Sequence, residues 1–206
     1  MSPRPYSTGR RRASADATKR RVLAAGRDLL VAHGGKGFTV DAVAARAGVA
    51  RMTVYYQFGS KKGLRDALFS DLAARGLVER LRSSGTRSVP FDALAEFIGT
   101  LVGFWAADRM VIRRLRSLAL LDPAAERNLR AADEHRLDAV RHIVRRLTEQ
   151  HGRPSPATAD DVALVLFSLT SFESFDALAG PARTPEEVAT LLIRAAHAAL
   201  GLEASV

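Results

Sequence analysis

Apolar residues recur along the chain at intervals of three and four, and no stretch of useful length alternates with a period of two. That pattern predicts helices throughout and no sheet. A first helix is expected from about Asp16, through Val22, Leu23, Leu29 and Leu30, to His33, where Gly34, Gly35 and Gly37 end it. Residues 1–15, with Pro3, Pro5, Gly9 and the run Arg10–Arg12, read as a flexible basic arm. A short helix should start after Thr39, whose hydroxyl can cap free N–H groups. Phe38 and Val43 flank that cap at the spacing of a hydrophobic staple. Val40, Val43, Ala44 and Ala47 form its inner face, and Gly48 stops it. A third short helix covers about residues 50–58, Gly59 ends it, and Ser60 caps a long fourth helix to about Leu81.

Ser83-Ser84-Gly85 marks the expected hinge between two modules, giving a division at 1–15, 16–82 and 83–206. Beyond it, Pro90, Phe91, Leu94, Ile98, Leu101, Val102 and Trp105 make a helical stripe, widened by Phe97 and Phe104. Further helices are expected over 110–121, from Asp122-Pro123 to Gln150, over 158–179, and over 185–200, the last opened by the box Thr184-Pro185-Glu186-Glu187. The fold class is therefore all-α, about nine helices, in two modules.

Charge changes this picture more than composition does. The net charge is +9, but residues 1–82 hold 17 Lys and Arg against 6 Asp and Glu, whereas 83–206 hold 14 against 16. A basic first module joined to a near-neutral body points to an anionic polymer as partner. The absence of Cys excludes disulfides, thiolate metal sites and a Cys nucleophile. The longest uncharged apolar stretches, 97–107 and 162–172, fall well short of the roughly 20 residues of a membrane span. No secretory h-region follows the basic start, so the expected location is the cytoplasm, with no membrane partner. Nucleophile-elbow, phosphate-loop and HExxH patterns do not occur, so no catalytic residue, cofactor or enzyme activity is assigned.

The informative segment is 39–58, TVDAVAARAGVARMTVYYQF. Two short amphipathic helices are joined through Ala47-Gly48-Val49, with the glycine supplying a left-handed turn. Rotation by about 100° per residue from an inward Val54 places Met52 and Tyr56 outward and Thr53 and Tyr55 on the flanks. Together with Arg51, and with Gln57 nearer the edge, this face can bond phosphates, stack on sugars and read base edges. The run Gly34-x-x-Gly37-Phe38-Thr39-Val40, Val43-Ala44-x-x-Ala47-Gly48-Val49, Thr53-Val54-Tyr55-Tyr56-x-Phe58 and Ser60-Lys61 resembles the DNA-binding domain of the tetracycline-repressor (TetR) family over about residues 17–68. The resemblance implies a dimeric transcriptional regulator of double-stranded DNA, usually released by a small-molecule effector. Gln57 stands where many members have His, and Arg51-Met52 replaces a common Lys-Gly pair, so an operator sequence does not carry over.

The candidate DNA-binding residues are Thr39, Arg51, Met52, Thr53, Tyr55, Tyr56, Gln57 and Lys61. Arg51 is suited to bidentate contact with guanine, with a plain phosphate contact as the alternative. Thr53, Tyr55, Tyr56 and Gln57 would set register on the backbone. Lys61, in the first turn of the fourth helix, would meet a phosphate, and Thr39 either does the same or serves only as a cap. In the second module the helix containing Val162–Phe175 and the final helix are the expected homodimer surface. Phe104, Trp105, Phe172 and Glu173 are the candidate ligand-binding residues, an apolar cavity with one polar anchor, against the alternative of core aromatics and a surface carboxylate. His135, Asp138 and His142 share a helix face but sit among arginines, so they read as a solvated face and no metal site is assigned. Two rival functions stand beside the regulator: a ligand-independent DNA-architectural protein, and a module whose helix-turn-helix binds protein.

Overall fold

The computed structural model describes residues 8–73, 90–120, 122–152 and 157–201. Among them are ten helices and no strand. In chain order these are α1 (Thr8–Gly37), α2 (Val40–Ala47), α3 (Arg51–Phe58), α4 (Lys61–Ala73), α5 (Pro90–Ala107), α6 (Arg109–Ala119), α7 (Pro123–His151), α8 (Ala159–Leu169), α9 (Phe172–Ala179) and α10 (Pro185–Ala199).

The first four helices form around Val22, Leu30, Phe38, Val43, Val54, Leu64 and Leu68, all fully or almost fully buried. α1 packs on α2 and α4, and α3 sits between α2 and α4. The caps follow the sequence. Thr39 Oγ1 accepts from the Ala42 N–H at 3.1 Å, and Ser60 Oγ accepts from the Gly63 N–H at 3.0 Å. Gly48 has φ +63° and ψ +41°, a conformation costly for any residue with a side chain, and it turns the chain from α2 into α3. At Gly63 the reason for glycine is space, since a Cβ there would run into the Phe58 carbonyl oxygen.

Two expectations for the first helix need correction. Helix already begins at Thr8, so residues 8–15 are not a flexible arm; after Pro5 only Gly9 opposes helix, and Ala13, Ala15 and Ala17 favour it. The break does fall at Gly34 (φ +62°), but one more turn follows it to Gly37. Residues 1–7, the hinge at 83–85 and the fourth helix beyond Ala73 lie outside the described residues.

In the second module α5 is the central helix, touching α6, α7, α9 and α10, while α7 pairs along α8 and α8 packs on α10. Leu94, Phe97, Ile98, Leu101 and Val102 fill its inward side. Asp122 caps α7, accepting from the Ala124 N–H at 2.8 Å, and Thr184 with Glu187 forms the expected box at α10. The single helix expected over 158–179 is instead two, α8 and α9, bent by 50°. The break has a local cause. Thr170 Oγ1 bonds back to the Leu166 carbonyl at 2.8 Å, and Ser171 Oγ accepts from the Ser174 N–H at 3.1 Å, starting a new helix. The count among the described residues is thus ten rather than about nine.

The modules meet along α6 and the start of α7. Arg27 of α1 reaches Asp71 of α4 at 3.3 Å and Asp108, ahead of α6, at 3.5 Å. Arg65 of α4 pairs with Asp122, the α7 cap.

Candidate nucleic-acid interface

Each side chain of α3 has its place set by the burial of Val54. That residue is wholly inaccessible, and Val49, Tyr55 and Phe58 pack partly against the same core. The opposite side is wet: Met52 is 71% exposed and Tyr56 94%. Thr53 and Tyr55 are half-buried on the flanks, as helical rotation from Val54 requires. A nearly fully exposed tyrosine and methionine on one short helix have no packing role among the described residues, which leaves them free to meet another surface.

Arg51 does not hang free. Its Nη2 donates to Tyr55 Oη at 3.2 Å, its Nε lies 3.1 Å from Asp41 Oδ1 on α2, and its guanidinium stands 5.3 Å from the centre of the Tyr55 ring. The bond to Tyr55, then the charge of Asp41, raises the Arg51 pKa above its ordinary value. Asp41 is not among the sequence candidates. In the sequence it reads only as an acidic residue in the first turn of α2, and its partnership depends on the angle between the two helices.

Gln57 points the other way from Tyr56. Its Nε2 donates to the Ala15 carbonyl at 3.5 Å and its Oε1 is buried without a partner among the described residues, so it lies against the first half of α1. Lys61 is exposed at the start of α4, whereas its neighbour Lys62 is paired with Asp66 at 2.9 Å. Thr39 is exposed, its hydroxyl bonded to the Ala42 N–H. Arg46 is held by Asp28 at 2.7 Å, tying α2 to α1.

In the second module the aromatic candidates do come together. Ring centres of Phe104 and Trp105 are 4.9 Å apart, those of Trp105 and Phe172 5.7 Å, and Trp105 Nε1 donates to the Thr170 carbonyl at 3.3 Å. Glu173 is not with them: it is exposed and accepts from Arg116 Nε at 2.7 Å. A cleft of about 480 Å³ lies elsewhere, between α1 and the α5–α6 corner, beside Arg27, Val31, Asp108 and Met110. His135, Asp138 and His142 are not buried, and His142 Nδ1 is 2.9 Å from Arg145 Nη2. No group of three or more metal-ligating side chains occurs among the described residues. Nor, among them, is any single helix long and apolar enough to cross a membrane.

Residues 22–68 match the profile of the bacterial regulatory proteins of the TetR family. Over 103 residues, 49% of the chain, the sequence is 35% identical to the HTH-type transcriptional regulator AlkX of Mycobacterium tuberculosis. The match spans 48% of that relative, about half its length. Two crystal structures show the fold over more of the chain. A TetR-like transcriptional regulator from a Rhodococcus species superposes with a TM-score of 0.72 at 22% identity, covering 89% of this chain and 96% of the other. The TetR family regulator PfmR of Thermus thermophilus gives 0.68 at 20% identity, covering 89% and 98%. Residues 22–68 thus match the TetR-type domain of bacterial regulatory proteins, and over 89% of its length the chain is similar in fold to such regulators.

Proposed function

We propose that the chain is a sequence-specific DNA-binding regulator of transcription. It acts as a homodimeric repressor on a pseudo-palindromic operator and is released by a small apolar or amphipathic molecule. One observation carries the reading: α3 buries Val54 and turns Arg51, Met52 and Tyr56 outward, flanked by Thr53 and Tyr55. That is the side-chain set and the helix length that fit a major groove. Lys61 and Thr39 lie at the N-terminal ends of α4 and α2, where a cation or a hydroxyl and free N–H groups can hold a phosphate. Gln57, turned toward α1, serves the interface by setting how α3 is presented.

The dimer reading is supported by α8 and α10, which pack on each other and leave Leu164 (46% exposed), Val165 (47% exposed) and Leu191 on the outside. Apolar side chains adjacent on two packed helices favour a second copy, and a twofold pair would set two α3 helices about 34 Å apart, one turn of duplex. A regulator of this kind works in the cytoplasm, where the chromosome is. Mobility shifts with duplex fragments from its own genome, in the presence of random competitor duplex, test the reading. Selective retention of a few fragments is expected. Equal retention of all duplexes would favour the architectural alternative, and retention of none would favour a protein-binding role.

A further inference from the structure

Among the described residues two polar side chains are buried, Arg136 and Thr170, and they touch. Arg136, 5% exposed, projects from α7 toward the break between α8 and α9. Its Nη1 donates to Thr170 Oγ1 at 3.0 Å and to the Phe167 carbonyl, and its Nη2 donates to Asp133 Oδ1 at 3.1 Å. The guanidinium lies 3.8 Å from the centre of the Phe167 ring. Its Nε is buried and has no acceptor among the described residues. Thr170 links this cation to the aromatic cluster, because its carbonyl accepts from Trp105 Nε1. Phe172 adjoins Trp105, and Arg116 of α6 stands 5.9 Å over the Phe172 ring. Side chains of α5, α6 and α7 therefore converge on the α8–α9 break.

A guanidinium in this place is costly. Burial lowers its pKa, the nearby charge of Arg116 adds to that, and Asp133, itself about a third exposed, together with Glu173 offsets only part of it. Capping α8 does not account for the charge. The Leu166 carbonyl already accepts from the Thr170 N–H at 3.0 Å and from its hydroxyl at 2.8 Å, and the same hydroxyl reaches the Phe167 carbonyl at 3.2 Å. A leucine or methionine at 136 would pack on Phe167 without desolvating a charge. What the buried cation and its one unpaired donor, Nε, fit is an oxyanion brought in with an apolar body, bound by a charge-assisted bond from Nε.

We propose that Arg136 is the anion anchor of the effector site. A small amphipathic carboxylic acid lies along the Trp105–Phe172 wall with its carboxylate on the Arg136 guanidinium. This rests on reading the second module as a ligand sensor, and it moves the polar anchor expected at Glu173 from an exposed, already paired carboxylate to a buried cation.

Trp105 is the only tryptophan of the chain and reports on the site directly. The full chain is titrated with dodecanoate and 4-phenylbutyrate, each below its micelle concentration, and with dodecanol and 4-phenylbutanol, following Trp emission. At least one acid should shift the emission saturably at a concentration tenfold or more below its matched alcohol. Arg136→Met should erase that preference, and Arg136→Lys should keep part of it, with helix content by circular dichroism checked for both. Equal response to acid and alcohol in the unmodified chain overturns the proposal, as does an unchanged preference in folded Arg136→Met or no saturable response to either acid. If Arg136→Met does not fold, the acid–alcohol contrast and Arg136→Lys decide. Retained duplex fragments are then challenged with the effective acid. Acid bound with preference while DNA stays bound would sink the release reading and leave the anchor standing.

Discussion

Arg51 meets two partners within the chain, and under the proposed role these would decide how it meets a base. A long free arginine samples many rotamers, whereas one held by Tyr55 Oη and Asp41 Oδ1 presents its fork in few directions. Being exposed, the pair with Asp41 adds little to stability, so its effect should show in selectivity. Asp41→Asn is expected to flatten the base preference at the position Arg51 contacts, roughly tenfold or more, while the Tm hardly moves. Selection from random duplexes checks this, and an unaltered consensus would mean that Asp41 does not orient Arg51. Lys61→Ala and Tyr55→Ala should both weaken binding with the fold and dimer intact. For Lys61→Ala the slope of log affinity against log salt should fall by about 1, the signature of one lost phosphate contact.

The helices owe their limits to a few side chains at their ends. Thr39, Ser60, Asp122, Thr158, Ser171 and Thr184 each accept a bond from an N–H of the first turn that follows. Gly48 supplies the left-handed residue that sets the angle between α2 and α3, and so the distance between Asp41 and Arg51. Gly48→Ala is expected to destabilise the chain by about 1–2 kcal/mol, measured by denaturant unfolding, and to reduce DNA binding beyond what that loss of folded protein explains. A variant with full stability and full binding would show that the turn tolerates a side chain.

Across the whole molecule, the exposed apolar residues and the carboxylate pairs govern assembly and acid response. Val165→Glu on the outer side of α8 should give a monomer by light scattering at micromolar concentration, together with much weaker operator binding; a dimer would place the interface elsewhere. Among the described residues three carboxyl groups are held below their usual pKa. At Asp122 the bond from the Ala124 N–H dominates, joined by Ala125 and Arg65; at Asp161 it is the Thr158 hydroxyl; at Asp176 burial works upward but is outweighed by Arg113 and Arg109. A carboxyl depressed in the folded state contributes fully above its unfolded value of about 3.9 and loses that contribution as pH falls through the folded value. Stability should therefore fall steadily below about pH 4. In Asp122→Ala, which removes both the α7 cap and the tie to Arg65, the decline should be shallower. An identical pH profile would show that Asp122 carries none of the acid response.

The sequence by itself determined that the chain is helical, where most helices begin, and which face of α3 is wet. Those features depend on neighbours within a turn or two: Thr39 and Ser60 cap, Gly48 turns, and the burial of Val54 forces Tyr56 outward. It also carried the TetR-type domain, because the glycine, alanine and tyrosine spacing of residues 34–61 is itself local. Only tertiary structure decided that Asp41 holds Arg51, that Gln57 faces α1, and that Arg136 is buried while Glu173 is not. In an arginine-rich helix such as α7, Arg136 looks like every other arginine in the sequence. Burial and pairing are set by which helices cross and at what angle, and that geometry comes from many distant contacts added together.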